Sequence, residues 1–175
     1  MIAIGLDLSL CSTGCVAVPS SFAADTDWTT VRHRLVTSAA LPNGASVRER
    51  TGRLLAIAAT ITKWIQAGPV DVIAIEEQAF RQGLAHSREI GELSGIVKAE
   101  LLALDLPIVM VTASAARKTL LGTVPRSGAK DAVAATLRKM GAPWTDTDRS
   151  DAFAVANHVI GEHGAPCVMA GRVAA

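Results

Sequence analysis

The sequence has 175 residues and half of them are hydrophobic, so we expect one domain with a substantial core. Its formal net charge is only +1, and composition alone therefore indicates no polyanionic partner. The three cysteines, Cys11, Cys15 and Cys167, have the spacing of neither a zinc site nor a disulfide framework, which makes a reducing cytoplasm the expected environment. We recognise no signal-peptide pattern and no apolar run of the roughly 18–20 residues that cross a membrane, so we expect no membrane partner.

The N-terminal half predicts three strands, a helix and a fourth strand, which cover residues 2–8, 14–18, 31–38, 46–66 and 70–75 in that order. Ser46 and Glu49 have the spacing of a capping box at the start of the helix. Gly68-Pro69 is a typical stop signal after it. The fourth strand is a continuous apolar run that ends at Glu76-Glu77, as expected of a parallel strand covered on both faces.

The C-terminal half predicts four helices and a fifth strand. A polar loop over 77–85 is followed by elements over 87–104, 107–111 (the strand), 114–121, 128–140 and 148–163. The first of these helices carries an apolar stripe formed by Ile90, Leu93, Val97, Leu101 and Leu104. We expect one α/β domain over 1–163, with crossovers that place helices beside the sheet, and a poorly ordered tail over 164–175.

Acidic residues stand at the ends of separate predicted elements. Asp7 ends the first strand, Glu76 ends the fourth, and Asp148 and Asp151 open the last helix. If the first and fourth strands are parallel neighbours, Asp7 and Glu76 project into one crevice at their carboxyl ends. Asp148 and Asp151 are spaced i, i+3 and share a helix face that can point into the same crevice.

Four carboxylates in one crevice repel each other, so a cation is expected among them. Oxygen ligands without Cys or His favour Mg²⁺ or Mn²⁺ over zinc. Two such ions activate water and stabilise the leaving oxygen when a phosphodiester is hydrolysed. Two simpler interpretations stay open: Asp148 caps its helix, and one residue of the Glu76-Glu77 pair is merely solvated.

Basic residues are concentrated in one part of the chain. Between residues 117 and 139 there is one acid, Asp131, and six basic residues: Arg117, Lys118, Arg126, Lys130, Arg138 and Lys139. Such a segment can contact a phosphate backbone, and it can equally be a solvated helix face.

Three stretches, "IGLDLSLCSTG", "IAIEEQAF" and "DRSDAFAVANH", resemble the acidic motifs of the RuvC-type Holliday-junction resolvases, in a short version like those of bacteriophages. The resemblance covers about residues 2–160. It implies an RNase H-like fold with a five-stranded mixed sheet, a homodimer, and cleavage of four-way DNA junctions with two Mg²⁺ or Mn²⁺ ions per active site. Flaps, forks and other branched DNA are further candidate substrates. The expected location is the cytoplasm, which is the host's if the protein is phage-encoded.

The motifs carry roles to particular residues. Asp7, Glu76, Asp148 and Asp151 match the family's acidic positions, which implies that they bind the metal ions and are catalytic. Arg117, in "SAARKTLLG", matches a basic residue that contacts DNA, with Lys118 and Arg126 as further contacts. Lys130, in "SGAKDAV", matches a second functional lysine, expected to contact DNA and to stabilise the negative charge of the transition state.

The sequence departs from the family's pattern at two places. Leu8-Ser9 stands where the family has Pro-Gly, although Thr13-Gly14 keeps the turn pattern. Ala79 stands where an aromatic residue is expected to wedge into the junction, and Phe80 follows it. We predict that Phe80 and Arg81 contact DNA; packing of Phe80 on the domain is an alternative.

Several alternatives remain at this level. "GLDLSLCSTG" also fits the phosphate-binding hairpin of actin-type and sugar-kinase-type ATP-binding domains, but the two lobes and the second Asp-Gly-Gly hairpin of those proteins are missing. A non-catalytic protein that only binds branched DNA is a second alternative. Binding alone does not require the four carboxylates, so their presence argues against it. The stripe on the 87–104 helix fits either a dimer interface, as the family resemblance implies, or core packing.

Overall fold

The computed structural model describes residues 1–22, 27–78 and 85–163, with side chains described from 87 onward in the last range. Phe80, Arg81 and the predicted tail over 164–175 lie outside the described residues, so the roles expected of them stay predictions.

A single mixed sheet organises the chain, with strands β1 (Ile2–Asp7), β2 (Ser12–Pro19), β3 (Arg32–Thr37), β4 (Val72–Glu77) and β5 (Ile108–Thr112). The strand order is β3-β2-β1-β4-β5. The hairpin strands pair antiparallel, while β4 pairs parallel with both β1 and β5. This confirms the predicted five-stranded mixed sheet and the predicted parallel neighbours.

Five α-helices cover the sheet within the described residues: α1 (Val47–Gln66), α2 (Ala85–Ala103), α3 (Ala113–Leu121), α4 (Ala129–Lys139) and α5 (Thr147–Glu162). The predicted capping box of α1 is present, since Ser46 Oγ accepts from the Glu49 amide and Glu49 accepts from the Ser46 amide. A short 3₁₀ helix over Trp28–Thr30 was not predicted.

The two faces of the sheet carry separate cores. Alternate residues of β1 face opposite sides, so that Ala3 packs with α3, α4 and α5 while Ile4 packs with α1 and α2. Three residues of the apolar stripe on α2, Leu93, Val97 and Leu101, are fully buried within this chain. Core packing is therefore the use that the structure gives to this part of the stripe.

α5 lies directly on the sheet because glycine in β1 leaves room for its backbone. Residues 150–157 are all buried. A methyl group added at Gly5 would come within 1.8 Å of the Ala152 carbonyl oxygen. The helix that carries two of the predicted acids is thereby held against β1, at whose end Asp7 stands. Within the described ranges, no helix is long and apolar enough to cross a membrane.

The contact between Gly5 and α5 gives a first prediction. Gly5→Ala should lower the free energy of unfolding by about 1–3 kcal/mol, because the added methyl group forces the helix away from the strand. Gly52→Ala is the control: Gly52 lies in α1, and apart from its chain neighbours and the adjoining helix backbone no described atom lies within 4 Å of the added methyl group. That change should raise stability by about 0.4–1 kcal/mol. Urea unfolding measures both; a Gly5→Ala protein as stable as the parent would contradict this account of α5 packing.

Candidate active site

The ends of β1 and β4 bring two acids side by side. Leu6 pairs with Ile75 in the parallel register, so Asp7 and Glu76 follow at the same edge of the sheet. Asp151 joins them from α5. One carboxylate oxygen from each of Asp7, Glu76 and Asp151 lies within 4.8 Å of the other two. The crevice proposed from the sequence therefore exists and holds three of the four predicted acids.

Asp148 lies at the rim of this cluster. Its side chain is 24% exposed, against 1% for Asp151, and its Oδ1 is 4.0 Å from Lys130 Nζ. It does not cap α5; Asp146 does, by accepting from the Arg149 amide. The interpretation of Asp148 as the helix cap is therefore wrong.

A second glycine places this first turn of α5. Gly14 in β2 pairs with Asp7. A methyl group added at Gly14 would lie 2.1 Å from the Asp148 carbonyl oxygen. The helix start can therefore come into contact with β2 beside the end of β1, which accounts for the glycine that follows Thr13.

Arg117 faces the acids. Its Nε donates to Asp151 Oδ1 at 3.1 Å and its Nη2 to Asp151 Oδ2 at 2.9 Å, a bidentate pair in which the Arg117 side chain is only 15% exposed. Burial lowers the pKa of Arg117, but the attraction of the nearby carboxylates outweighs burial, so the pKa is raised. The structure thus places the predicted DNA-contacting residue against a predicted metal ligand.

Lys130 enters the cluster from the start of α4. Its Nζ lies 3.1 Å from Asp7 Oδ2 and 3.2 Å from Asp151 Oδ2. Burial lowers the pKa of Lys130, but attraction to the two carboxylates outweighs it and the pKa is raised. The side chain is 45% exposed, so the ammonium group contacts both the acids and the solvent.

Lys118 and Arg126 lie on the exposed surface, as do Arg138 and Lys139. The basic segment therefore divides: Arg117 and Lys130 point into the acid cluster, and the other four basic residues face solvent. Their predicted contacts with DNA stay predictions.

The buried acids are poorly matched to their surroundings in the absence of a further cation. Burial has the largest effect on the pKa of Asp7 and raises it. Lys130 opposes this rise, while the charges of Asp151 and Asp148 add to it, and the resulting pKa of Asp7 is about 6. Burial together with the charges of Asp7 and Asp151 raises the pKa of Glu76 to about 7. Both carboxylates thus take up protons more readily than an ordinary acid does, and raising the pH through this range favours a metal ion over protons.

Glu76 supplies an independent sign that a cation fits here. Its Oε2 is buried, and among the described residues no group donates a hydrogen bond to it. A buried oxygen without a partner is costly unless something positive binds it. With Asp7 and Asp151 beside it, the donor set consists entirely of carboxylate oxygens, which suits Mg²⁺ or Mn²⁺.

The turn after Asp7 is braced by groups that sequence reasoning missed. Arg53 of α1 donates from Nη2 to the Leu10 carbonyl at 2.6 Å, and Gln78 donates to the Leu8 carbonyl at 3.3 Å. Ser9 and Thr13 exchange two hydrogen bonds across the turn. These contacts hold the turn that contains Leu8 and Ser9. The i, i+4 spacing of Ser9 and Thr13 was visible in the sequence, whereas the Arg53 contact spans 43 positions.

Comparison with known proteins shows to which family the chain belongs. The model of the family "Crossover junction endodeoxyribonuclease RuvC" matches residues 25–158, well over half of the chain. A RuvC of Paenarthrobacter aurescens (strain TC1) is 29% identical over 107 residues, a match that spans 59% of this chain and 56% of that protein. This chain thus aligns with little more than half of its curated relative.

Two solved structures share the fold over nearly their whole length. T. thermophilus RuvC in complex with Holliday junction substrate superposes with a TM-score of 0.64 at 16% identity, covering 96% of this chain and 98% of that one. A second Thermus thermophilus RuvC structure gives 0.61 at 17% identity, with 95% and 99% covered. With the family model matched across β3 to α5 and the acid cluster in place, the chain belongs to the RuvC family.

Proposed function

We propose that this protein is a metal-dependent endonuclease that cleaves four-way DNA junctions by hydrolysing phosphodiester bonds. The observation that carries the proposal is the meeting of Asp7, Glu76 and Asp151 within 4.8 Å at the carboxyl ends of β1 and β4. Membership of the RuvC family supports it, as does the likeness in fold to a RuvC solved with a Holliday junction substrate. Flaps and forks are further candidate substrates.

The acids would hold the metal ions, with Asp7 central, Glu76 on one side, and Asp148 and Asp151 on the other. Two Mg²⁺ or Mn²⁺ ions, when bound, supply Lewis acidity that activates water and offsets charge on the leaving 3′ oxygen. The chain's own part is to keep the acids close and dry. Asp7 is 5% exposed and Asp151 is 1% exposed, so the attraction for a cation is little screened by solvent.

The two basic residues that contact the acids have different tasks in this proposal. Arg117 holds both oxygens of Asp151 and thereby fixes its orientation. Lys130 is close to half exposed and lies on the solvent side of the acids, where a phosphate would approach. It can release its carboxylates when metal ions neutralise them and then stabilise the negative charge of the transition state.

The rest of the DNA interface is proposed from exposure and charge. Lys118 follows Arg117 on α3, and Arg126 lies between α3 and α4; both are exposed on the part of the chain that leads to Lys130. They suit backbone phosphates, which give affinity without sequence preference. Phe80 and Arg81 are proposed as further contacts from their position after Glu76 in the sequence.

The alternatives explain the site less well. An actin-type or sugar-kinase-type ATP-binding domain does not account for the match of residues 25–158 to the RuvC family. A protein that only binds branched DNA gains nothing from the desolvation of three acids in one crevice. A metal-dependent nuclease, in contrast, uses closely spaced carboxylates to hold metal ions, and this accounts for the unfavourable burial.

Replacing the central acid tests the catalytic assignment. Asp7→Asn should reduce cleavage of a labelled four-way junction at least about 100-fold, because a carboxylate that holds metal ions is lost. Folding and junction affinity should be kept. Asp131→Asn, which changes an acid in the first turn of α4 outside the cluster, should cleave normally. Cleavage with Mg²⁺, Mn²⁺ or chelator, on junction, flap and linear duplex, makes the measurement; undiminished cleavage by Asp7→Asn would contradict the assignment.

Lys130 should compete with metal ions for the acids. Lys130→Met should tighten Mn²⁺ binding by about tenfold, because an ammonium group that repels the ion is removed. The same change should slow cleavage at saturating metal by about 100-fold, because the transition state loses a nearby positive charge.

Calorimetric titration of Mn²⁺ into chelator-treated protein at about pH 8, above the raised pKa values of Asp7 and Glu76, measures the binding. The exposed Lys118→Met is the matched control and should leave Mn²⁺ affinity unchanged. Weaker Mn²⁺ binding by Lys130→Met would show that Lys130 supports the metal site instead of competing with it.

We also propose that the protein acts as a homodimer, because two symmetric cuts in a junction need two active sites related by a two-fold axis. Sedimentation at micromolar concentration should give the mass of two chains. A monomer that remains one chain on the junction would rule out paired cutting.

A further inference from the structure

The start of α5 is held by a polar network that the proposed chemistry does not use. Asp146, the helix cap, accepts from the Arg149 amide at 2.8 Å and from Arg149 Nε at 2.7 Å. Arg149 is thereby folded back over the first turn of α5, the turn that carries Asp148. A side chain adjacent to one predicted metal ligand is thus fixed in a single direction.

The far end of the Arg149 guanidinium reaches the sheet. Its Nη1 lies 3.1 Å from Nδ1 of His33, across 116 positions of sequence. Because a guanidinium can only donate, His33 Nδ1 must accept, and the ring must be neutral with its proton on Nε2. His33 belongs to β3, an edge strand that contributes no acid to the cluster.

Trp144 closes the network from the other side. Its ring lies 4.9 Å from the His33 ring, and it is 3% exposed. Its Nε1 donates to Ser150 Oγ at 3.2 Å, and Ser150 Oγ donates to the Asp146 carbonyl at 2.7 Å. The first turn of α5 is therefore tied at its cap, at Arg149 and at Ser150.

We propose that His33 is a positioning residue: by accepting from Arg149, it sets the first turn of α5 and hence the place of Asp148 at the rim of the acid cluster. The role rests on the proposed nuclease function only for its effect on cleavage. The contact of Gly14 with the Asp148 carbonyl holds the same turn from β2, so two strands act on it together.

The protonation of His33 decides whether the contact can form. Among the described residues, the charged groups that act on His33 are Arg149 and Asp146 of the α5 start. Burial and then the charge of Arg149 lower the pKa of His33, and Asp146 opposes them. The ring is thus neutral at neutral pH. Protonation removes the acceptor and sets two cations against each other, so the contact is present above the lowered pKa and lost as the pH falls through it.

Two substitutions distinguish the role of His33 as a hydrogen-bond acceptor from its packing against Trp144. His33→Leu keeps bulk against Trp144 but removes the acceptor, whereas His33→Asn can place a carbonyl oxygen near the position of Nδ1 and does not titrate. His163→Leu is the matched control, since His163 is exposed at the opposite end of α5.

The first readout is cleavage. His33→Leu should lower kcat about tenfold, as expected for a displacement well under 1 Å at the reacting groups, with junction affinity unchanged within about twofold. His33→Asn should keep kcat within about threefold of the parent and should lack one group from the acid limb of its pH profile. A kcat of His33→Leu equal to that of the parent would overturn the proposal. An equal decrease of kcat in both variants would also overturn it, because it would show that packing on Trp144 is what matters.

The second readout does not depend on nuclease activity. Amide hydrogen exchange over residues 147–151 should be faster in His33→Leu than in the parent and in His163→Leu, with the end of α5 unchanged. If the parent cleaves nothing, the proposed function fails while this readout still tests His33. Should His33→Leu fail to fold, exchange in the parent above and below the pKa of His33, with His33→Asn as the insensitive reference, decides the matter. Unchanged exchange would overturn the proposal.

Discussion

The central constraint on the site is that the fold holds acids close together although they repel one another. Asp7 and Asp151 are almost completely buried, and Glu76 ends the neighbouring strand. Carboxylates in that position lose hydration and gain like-charged neighbours, which raises the pKa of Asp7 to about 6 and that of Glu76 to about 7. Positive charge is what makes the arrangement tolerable, and Arg117 and Lys130 supply only part of it.

The fold keeps the acids together through backbone contact. Gly5 and Gly14 remove the side chains that would hold α5 away from β1 and β2. The helix can then bury nearly all of its residues from 150 to 160. Movement of Asp151 away from Asp7 would break this packing across the centre of the sheet. The stability of the core is thus used to hold an electrostatically unfavourable site, as active sites commonly require.

Much of this was predictable from the sequence, for physical reasons. Asp7 and Glu76 each end an apolar run, and neighbouring parallel strands bring such ends together. The i, i+3 spacing of Asp148 and Asp151 placed them on one face of a helix, but it did not show that one is buried and the other lies at the rim. That difference follows from their positions along α5: Asp148 lies in the first turn, whereas Asp151 lies in the stretch 150–157 that is buried.

The contacts of basic side chains were harder to foresee. Arg117 was predicted as a DNA contact from a motif, yet it forms a bidentate pair with Asp151, 34 positions away. The contact between His33 and Arg149 spans 116 positions and leaves no periodic pattern in the sequence. Helices, strands and strand ends follow from local chemistry, whereas the direction of a long charged side chain depends on elements far away in the chain.

The central claim is that the buried acids are held together to bind divalent cations. Anomalous scattering from crystals of the protein soaked in Mn²⁺ tests it most directly. The account predicts density in contact with both Asp7 and Glu76, at the carboxyl ends of β1 and β4. Mn²⁺ bound only elsewhere on the molecule, with Lys130 still between Asp7 and Asp151, would contradict it.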